Sequence, residues 1–236
     1  MNRLVLIVLK NILKIPGLYG KLCRYAKNPE NYPENEKWQH IQKTLSIVID
    51  SGNVELKVYG KENIPTEGGF MLYGNHQGMF DVVALAASCD MPLGAVYKKE
   101  LKSVPVLKEI YACTKSFAMD REDVRQSLTV IQAVTKEVQA GRNYLIFPEG
   151  TRSKKGNEMN EFHGGSFRCA VKAKCPILPL AFIDSFKVLD QKGSAPVTVQ
   201  LHYLPVIPYE EYRDLKTVEI AALVKERIQA VLDANC

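Results

Sequence analysis

Two short runs free of charged residues, Phe70-Met71-Leu72-Tyr73-Gly74 and Tyr144-Leu145-Ile146-Phe147, constrain the fold of this chain more than any other feature. A strand with one wet face alternates apolar and polar residues, whereas a strand covered on both faces, as in a parallel sheet, reads as an unbroken apolar run. Around these runs the period changes. Val54-Glu55-Leu56-Lys57-Val58-Tyr59-Gly60 alternates as a strand and closes in a turn at Asn63-Ile64-Pro65. Residues 82–87 suit the start of a helix, with Asp81 near its first turn. Val124, Leu128, Ile131, Val134 and Val138 recur at helical spacing, and Gly141 stands where a C-terminal cap belongs. Residues 177–183 and 196–204 read as further strands, and residues 218–232 as a last helix. Strands alternating with helices predict an α/β fold, a single domain over residues 53–236 with a mostly parallel central sheet flanked by helices. No repeat, low-complexity tract or linker divides it. A chain of 236 residues buries roughly three-quarters of its unfolded surface, so it needs no disulfide staples. Its six cysteines show no CxxC pair and no histidine at zinc-ligand spacing, so free thiols and no structural metal are expected.

Residues 1–52 read as an N-terminal helical extension. Residues 1–27 carry Arg3, Lys10, Lys14, Lys21, Arg24 and Lys27 and no acid, so the rest of a chain of net charge +5 carries about −1. A basic surface spread over the whole protein would suggest nucleic acid. Basic charge confined to one apolar end points instead to anionic lipid headgroups. On a helix, Arg3, Lys10 and Lys14 fall within roughly 40° of one another, leaving a broad apolar face of Leu4, Val5, Leu6, Ile7, Val8, Leu9, Ile12 and Leu13. Pro16-Gly17 is expected to end or kink this helix. Lysines 10 and 14 interrupt it too early for a membrane span, which needs about 20 mostly apolar residues, and no small-residue cleavage site follows to make it a signal peptide. Two readings remain. Either it lies in the membrane interface, paired with a second helix over residues 35–49, or it is a core helix whose lysines snorkel.

Each apolar run opens directly into a polar loop, and in parallel sheets ligands gather at such loops. The first loop is Asn75-His76-Gln77-Gly78-Met79-Phe80-Asp81. Histidine is the side chain whose unperturbed pKa lies nearest neutrality, so His76 suits a general base, and Asp81 could hold its second nitrogen. On one continuous helix the two would lie about 140° apart, so they can meet only if His76 sits in the loop and Asp81 in the first helical turn, a bend that Gly78 would allow. Taken alone, the pair fits a structural histidine capped by a helix-start aspartate somewhat better than a catalytic one, since a lone His-x4-Asp occurs often by chance. The second loop is Phe147-Pro148-Glu149-Gly150-Thr151-Arg152-Ser153. Gly150 could let the backbone approach a ligand, and the Arg152 guanidinium matches phosphate oxygens bidentately, although a tight turn with a solvated arginine fits equally. Glu149 has the wrong charge for a phosphate, so Glu149, Gly150 and Thr151 are expected to shape the site. Lys99 and Arg121 are further candidate cations. His202 reads as part of a solvated strand face, His40 lies on the second helix, and His163 has no evident partner. Without a Gly-x-Ser-x-Gly elbow, a Walker loop or a dinucleotide fingerprint, an acyl-enzyme, ATP and NAD are not indicated.

At these residues the chain resembles the glycerolipid acyltransferases, in particular the 1-acyl-sn-glycerol-3-phosphate acyltransferases, over residues 55–205. Four blocks occur in the family's order. They are Asn75-His76 through Asp81; Lys99-Glu100-Leu101 with Pro105 and Arg121; the signature running from Phe147 to Ser153; and Pro176-Ile177-Leu178-Pro179. The resemblance implies that His76, oriented by Asp81, deprotonates the free 2-hydroxyl of a lysophosphatidic acid as it attacks an acyl thioester. It also implies that Arg152, Arg121 and Lys99 hold the phosphate. The product would be phosphatidic acid, with acyl-CoA or acyl carrier protein as donor and no metal or bound cofactor. The expected partners are the membrane surface, through residues 1–27, and the lysophospholipid, but no nucleic acid. The expected location is the cytoplasmic face of the membrane, as a peripheral protein. One departure stands out: where the family often has phenylalanine–lysine–x–glycine, this chain has Phe162-His163-Gly164-Gly165. The competing expectations are acylation of another acceptor, such as glycerol-3-phosphate or another lysophospholipid, and a non-catalytic module that binds anionic lipid.

Overall fold

In the computed structural model, which describes residues 2–236, the chain begins with three helices, α1 (Arg3–Asn11), α2 (Ile15–Lys27) and α3 (Glu34–Ser51). There follow β1 (Val54–Tyr59), β2 (Met71–Gly74), α4 (Phe80–Ser88), β3 (Leu93–Lys98), a 3₁₀ turn at Lys99–Leu101, α5 (Leu107–Cys113), β4 (Phe117–Met119), α6 (Val124–Gln139) and β5 (Asn143–Ile146). The chain closes with α7 (Arg168–Ala173), β6 (Ile177–Ile183), α8 (Phe186–Leu189), β7 (Val197–Tyr203), α9 (Tyr209–Tyr212) and α10 (Thr217–Asn235). The seven strands form one sheet in the order β1-β7-β6-β2-β5-β3-β4. Only the β6–β7 pair is antiparallel. Strands β2 to β6 all run the same way, so the loops at their C-terminal ends share one edge.

The two charge-free runs sit at the centre. β2 lies between β5 and β6, with Tyr73 level with Ile146 on one side and Pro179 on the other. Successive side chains of a strand point to opposite faces. Met71 and Tyr73 accordingly join Val134, Ile220 and Val224 in the core layer under α6 and α10. Leu72 joins Phe80, Leu85, Trp38 and Ile41 in the layer under α3 and α4.

The N-terminal region differs from expectation in two ways. The first helix stops at Asn11, and Pro16 lies in the first turn of α2. A proline is tolerated there because its missing N–H would have no helical partner, so it starts a helix instead of ending one. The region therefore has three helices, not two. Second, Arg3 is not part of a solvent-facing basic stripe. It is buried, and its guanidinium donates to the carbonyls of Gly52, Val188 (3.0 Å) and Ala195 (2.7 Å). Of the two readings of the first helix, the core one is not met, because its apolar face is turned outward: Leu4, Val5, Val8, Leu9 and Ile12 are 42–58% exposed and Leu13 is 93% exposed. The helix rests instead on its Arg3–Ile7–Asn11 strip, against α3 and α8. Among the described residues no helix is long and apolar enough to cross a membrane.

Candidate active site

The site assembles where β2, β5 and β6 end. Asn75, the first residue beyond β2, clamps the loop to β6: its amide donates to the Phe182 carbonyl (2.9 Å) and its oxygen accepts the Phe182 N–H (2.8 Å). His76 then lies in the loop, and Asp81 in the first turn of α4. The Asp81 carboxylate is fully buried. Its Oδ2 accepts from His76 Nδ1 (2.7 Å), Gln77 N–H (2.8 Å) and Gly78 N–H (3.1 Å), while Oδ1 accepts from the Ser185 hydroxyl. An acceptor-only carboxylate opposite Nδ1 makes that nitrogen the donor, so in a neutral imidazole Nε2 carries the lone pair. The ring also stacks on Phe147, with centroids 4.0 Å apart and planes inclined by 12°. Tautomer and orientation are thus both set before substrate arrives.

Gly78 contributes by its size, not by a left-handed bend. It is absent from the glycines with positive φ, but a Cβ there would stand 2.6 Å from Asp190 Oδ2 and 2.9 Å from Phe186 Cα. The backbone of α8 occupies the space a side chain would need.

The second loop is wired into the first. Glu149 is buried, its Oε1 accepting the His76 N–H (2.6 Å) and its Oε2 the Asn160 N–H (2.9 Å). Burial pushes the Glu149 carboxyl above its usual range, although its backbone donors and His76 pull the other way. Ser153 donates its amide to the His76 carbonyl (2.9 Å). His76 is therefore gripped through both of its backbone polar groups by the loop after β5. Gly150 does take positive φ (72°), and its own amide closes the turn on the Phe147 carbonyl (3.1 Å).

The three candidate cations do not form one cluster. Arg121, together with Glu149, Gly150, Thr151 and His163, lines a cavity of about 600 Å³. A methyl-sized group on Gly150 would stand 3.4 Å from His163 Cδ2 and 3.9 Å from Arg121 Nη1, so these two side chains flank that turn together. Ser127, Ser166 and a second arginine, Arg168, also line it, and the rest of the wall is mostly apolar, from Val96, Met119, Leu128, Ile131, Ile146 and the same Phe147 that carries His76. Arg152 lies apart, paired with Asp190, which also accepts the Met79 N–H (3.0 Å). Lys99 is engaged by Asp120 at 2.5 Å.

Sequence reasoning did not reach Ser185, Gln77, Asn157 and Asp190. Gln77 Oε1 accepts from Ser185 N–H (3.2 Å), and its amide donates to Asn157 Oδ1 (2.7 Å), which also accepts the Asp184 N–H (2.9 Å). The available signal was the polar step Asp184-Ser185 at the end of the apolar run of β6, the same pattern that marks the other two loops. The remaining histidines have other surroundings. His40 is buried, with Nε2 3.0 Å from the Leu18 carbonyl. His202 is half-buried, not solvated: it stacks on Tyr59 at 4.5 Å, and desolvation lowers its pKa.

An imidazole oriented by a buried carboxylate, with no serine or cysteine hydrogen-bonded to its Nε2 among the described residues, suits a transferase that activates an incoming hydroxyl by general-base catalysis. The chain belongs to the acyltransferase family, whose model matches residues 55–183. It is 28% identical to the 1-acyl-sn-glycerol-3-phosphate acyltransferase of Escherichia coli over 224 residues, spanning 93% of this chain and 87% of that protein. To the enzyme of the same name from Salmonella typhimurium it is 32% identical over 158 residues, 66% of this chain and 63% of that one. The crystal structure of the 1-acyl-sn-glycerophosphate acyltransferase from Thermotoga maritima has the same fold, with a TM-score of 0.77 and 20% identity over 99% of this chain and 97% of that one.

Proposed function

We propose that this protein transfers a fatty acyl group from an acyl thioester to the 2-hydroxyl of 1-acyl-sn-glycerol-3-phosphate, giving phosphatidic acid. The observation that carries the proposal is the locked His76–Asp81 pair at 2.7 Å, joined through Phe147 to an apolar cavity with a cationic, glycine-lined end. His76 Nε2 takes the proton of the 2-hydroxyl as its oxygen bonds to the thioester carbonyl carbon. Asp81 stabilises the resulting imidazolium. Collapse of the tetrahedral intermediate breaks the C–S bond, and the imidazolium returns the proton to the departing thiolate. The donor is acyl-CoA or acyl carrier protein. At about 600 Å³ the cavity is of small-molecule size and mostly apolar, as an acyl chain requires.

Arg121 reads as the first phosphate ligand, because it already lines the cavity. Arg152 and Lys99 complete the set by sharing or exchanging their carboxylate partners Asp190 and Asp120. The acceptor is a single-tailed lipid, and the outward apolar face of α1 suits insertion at the membrane surface. Lys10, Lys14, Lys21, Arg24 and Lys27 lie at the headgroups, on the cytoplasmic side where acyl thioesters are made. Met79 and Val82, exposed beside His76, extend that face to the site.

The test is thioester-dependent acylation by His76→Ala, with lysophosphatidic acid compared against glycerol-3-phosphate. Loss of the base lowers turnover by about 10²–10⁴-fold. A folded His76→Ala protein that keeps its turnover overturns the mechanism, and equal turnover of the two acceptors overturns the assigned substrate.

A further inference from the structure

The connection between β3 and α5 is unlike an ordinary surface loop. Connections in soluble domains are built from polar turn residues. Here residues 98–106 are all exposed, and the tip carries Leu101, Val104, Pro105 and Val106. Leu101 and Val104 are each 37% exposed and Val106 45% exposed. Lysines interleave with them. Lys98 pairs with Glu100 and Lys108 with Glu109, while Lys102 has no carboxylate partner among the described residues. Residues 98–108 carry four lysines against one acid.

The loop is held in this shape at a cost. Val106 has φ 71° and ψ −49°, a strained conformation for any L-residue and more so for a β-branched one. Such strain persists only where the surroundings enforce it. The enforcing group is the buried Glu109, whose Oε2 accepts the Val106 N–H (2.8 Å) and whose Oε1 accepts the Tyr19 hydroxyl of α2 (3.2 Å). The N-terminal helices and the loop are thus fastened through one carboxylate.

The position of the loop matters as much as its composition. It leaves β3 at the same sheet edge as His76. In the order β6-β2-β5-β3, the site strands β2 and β5 lie in the middle. α1 packs on α8, which follows β6, and the loop follows β3 on the other side. An apolar patch with basic neighbours therefore stands on each side of the site, along one edge.

We propose that residues 101–106 form a second bilayer contact. Val104, Pro105 and Val106 seat in the interface, and Lys98, Lys102 and Lys108 meet anionic headgroups, so that the cleft is suspended over the membrane between two supports. This rests on the membrane-facing reading of α1, and the two are separable. The experiment is co-sedimentation of the full chain with phosphatidylcholine vesicles, with and without phosphatidylglycerol. It compares wild type, Leu13→Asp in the turn after α1, Val104→Asp/Val106→Asp and Lys102→Gln. A lysine near an anionic surface contributes about 1 kcal/mol, so Lys102→Gln should weaken partitioning about fivefold on anionic vesicles and leave it unchanged on neutral ones. Val104→Asp/Val106→Asp should weaken it about tenfold or more on both. A short-chain acceptor kept below its aggregation concentration should be turned over normally by both loop variants, showing that the cleft is intact. In a Val104→Trp protein, emission should shift to the blue when vesicles are added.

Loop variants that bind like wild type while Leu13→Asp does not would overturn the proposal and leave the α1 reading standing. Loss of binding in the loop variants alone would support the loop and remove α1. Unchanged vesicle binding with a raised KM for an acidic carrier-protein donor would overturn the proposal by assigning the surface to that donor.

Discussion

Replacing Glu149 by glutamine tests whether one buried carboxylate ties the two halves of the site together. Its two oxygens each accept a backbone N–H, from His76 at 2.6 Å and from Asn160 at 2.9 Å. A glutamine oxygen can serve one of these donors, but its NH₂ group must then face the other. The change forfeits one charge-assisted bond, about 1.5–3 kcal/mol, and leaves a buried donor unpaired. Part of the loss is recovered, because removing the charge relieves the desolvation that holds the Glu149 carboxyl above its usual range. The net cost should be about 1–3 kcal/mol, lowering Tm by roughly 2–12 °C for a chain of this size. Glu149→Ala unpairs both amides and should cost more. Turnover measured well below Tm should fall with Glu149→Ala, which frees the His76 amide, and with Glu149→Gln to the extent that its NH₂ group faces that amide. The pH dependence also has a definite sign. The raised folded value means that the native state binds the Glu149 proton more tightly than the unfolded chain does. That contribution is complete below the unfolded value near 4.5 and is lost as pH rises through the folded one. The advantage of the wild type over Glu149→Gln should therefore be larger near pH 4 than near pH 7. Thermal unfolding at both pH values and steady-state kinetics make the check. A glutamine variant with wild-type Tm and kcat, or one no better than alanine, would refute the two-amide clamp.

Three further outcomes are expected. Asp81→Asn should fold, because its oxygen can face the three N–H donors while the Ser185 hydroxyl turns to accept from its amide. Losing the anion opposite the imidazolium should lower kcat about 10²–10³-fold, from about 4 kcal/mol for such a charge pair at an effective dielectric of 20; kcat within threefold of wild type would count against Asp81 as the orienting charge. Gly78→Ala must push α8 away to clear the contacts at 2.6 and 2.9 Å. It should cost about 1–3 kcal/mol by thermal unfolding and disturb the Arg152–Asp190 pair, so that KM for the acceptor rises along with the instability. Leu128→Trp should fill part of the apolar cavity. Each methylene kept out forfeits about 0.8 kcal/mol, so competition between acyl donors of different length should shift toward the shorter ones.

The central sheet and its two loops were legible because strands buried on both faces leave an unbroken apolar signature, and the polar residues that interrupt it mark the functional edge. β2, β5 and β6 each end this way, and the third of these steps, Asp184-Ser185, supplies the hydroxyl on Asp81. What periodicity cannot tell is which side of an amphipathic helix meets the protein. On α1 the apolar face is outward, because Arg3 finds three backbone carbonyls far along the chain, at the end of α3, in α8 and just before β7. Pro16 was ambiguous in a similar way, since proline both ends helices and starts them.

Glu149 explains why the limit falls where it does. Read as part of a phosphate loop, a glutamate is out of place, since its charge opposes the ligand. Its partners are two backbone amides, 73 and 11 residues away, and a backbone amide has no residue type by which a sequence can announce it. A buried carboxylate is stable only where donors converge on it, and the donor here belongs to the histidine that the other loop supplies. The acid in the second loop therefore makes sense only once the first is folded against it: Asp81 sets the ring of His76, Glu149 sets its backbone, and the two loops make one site.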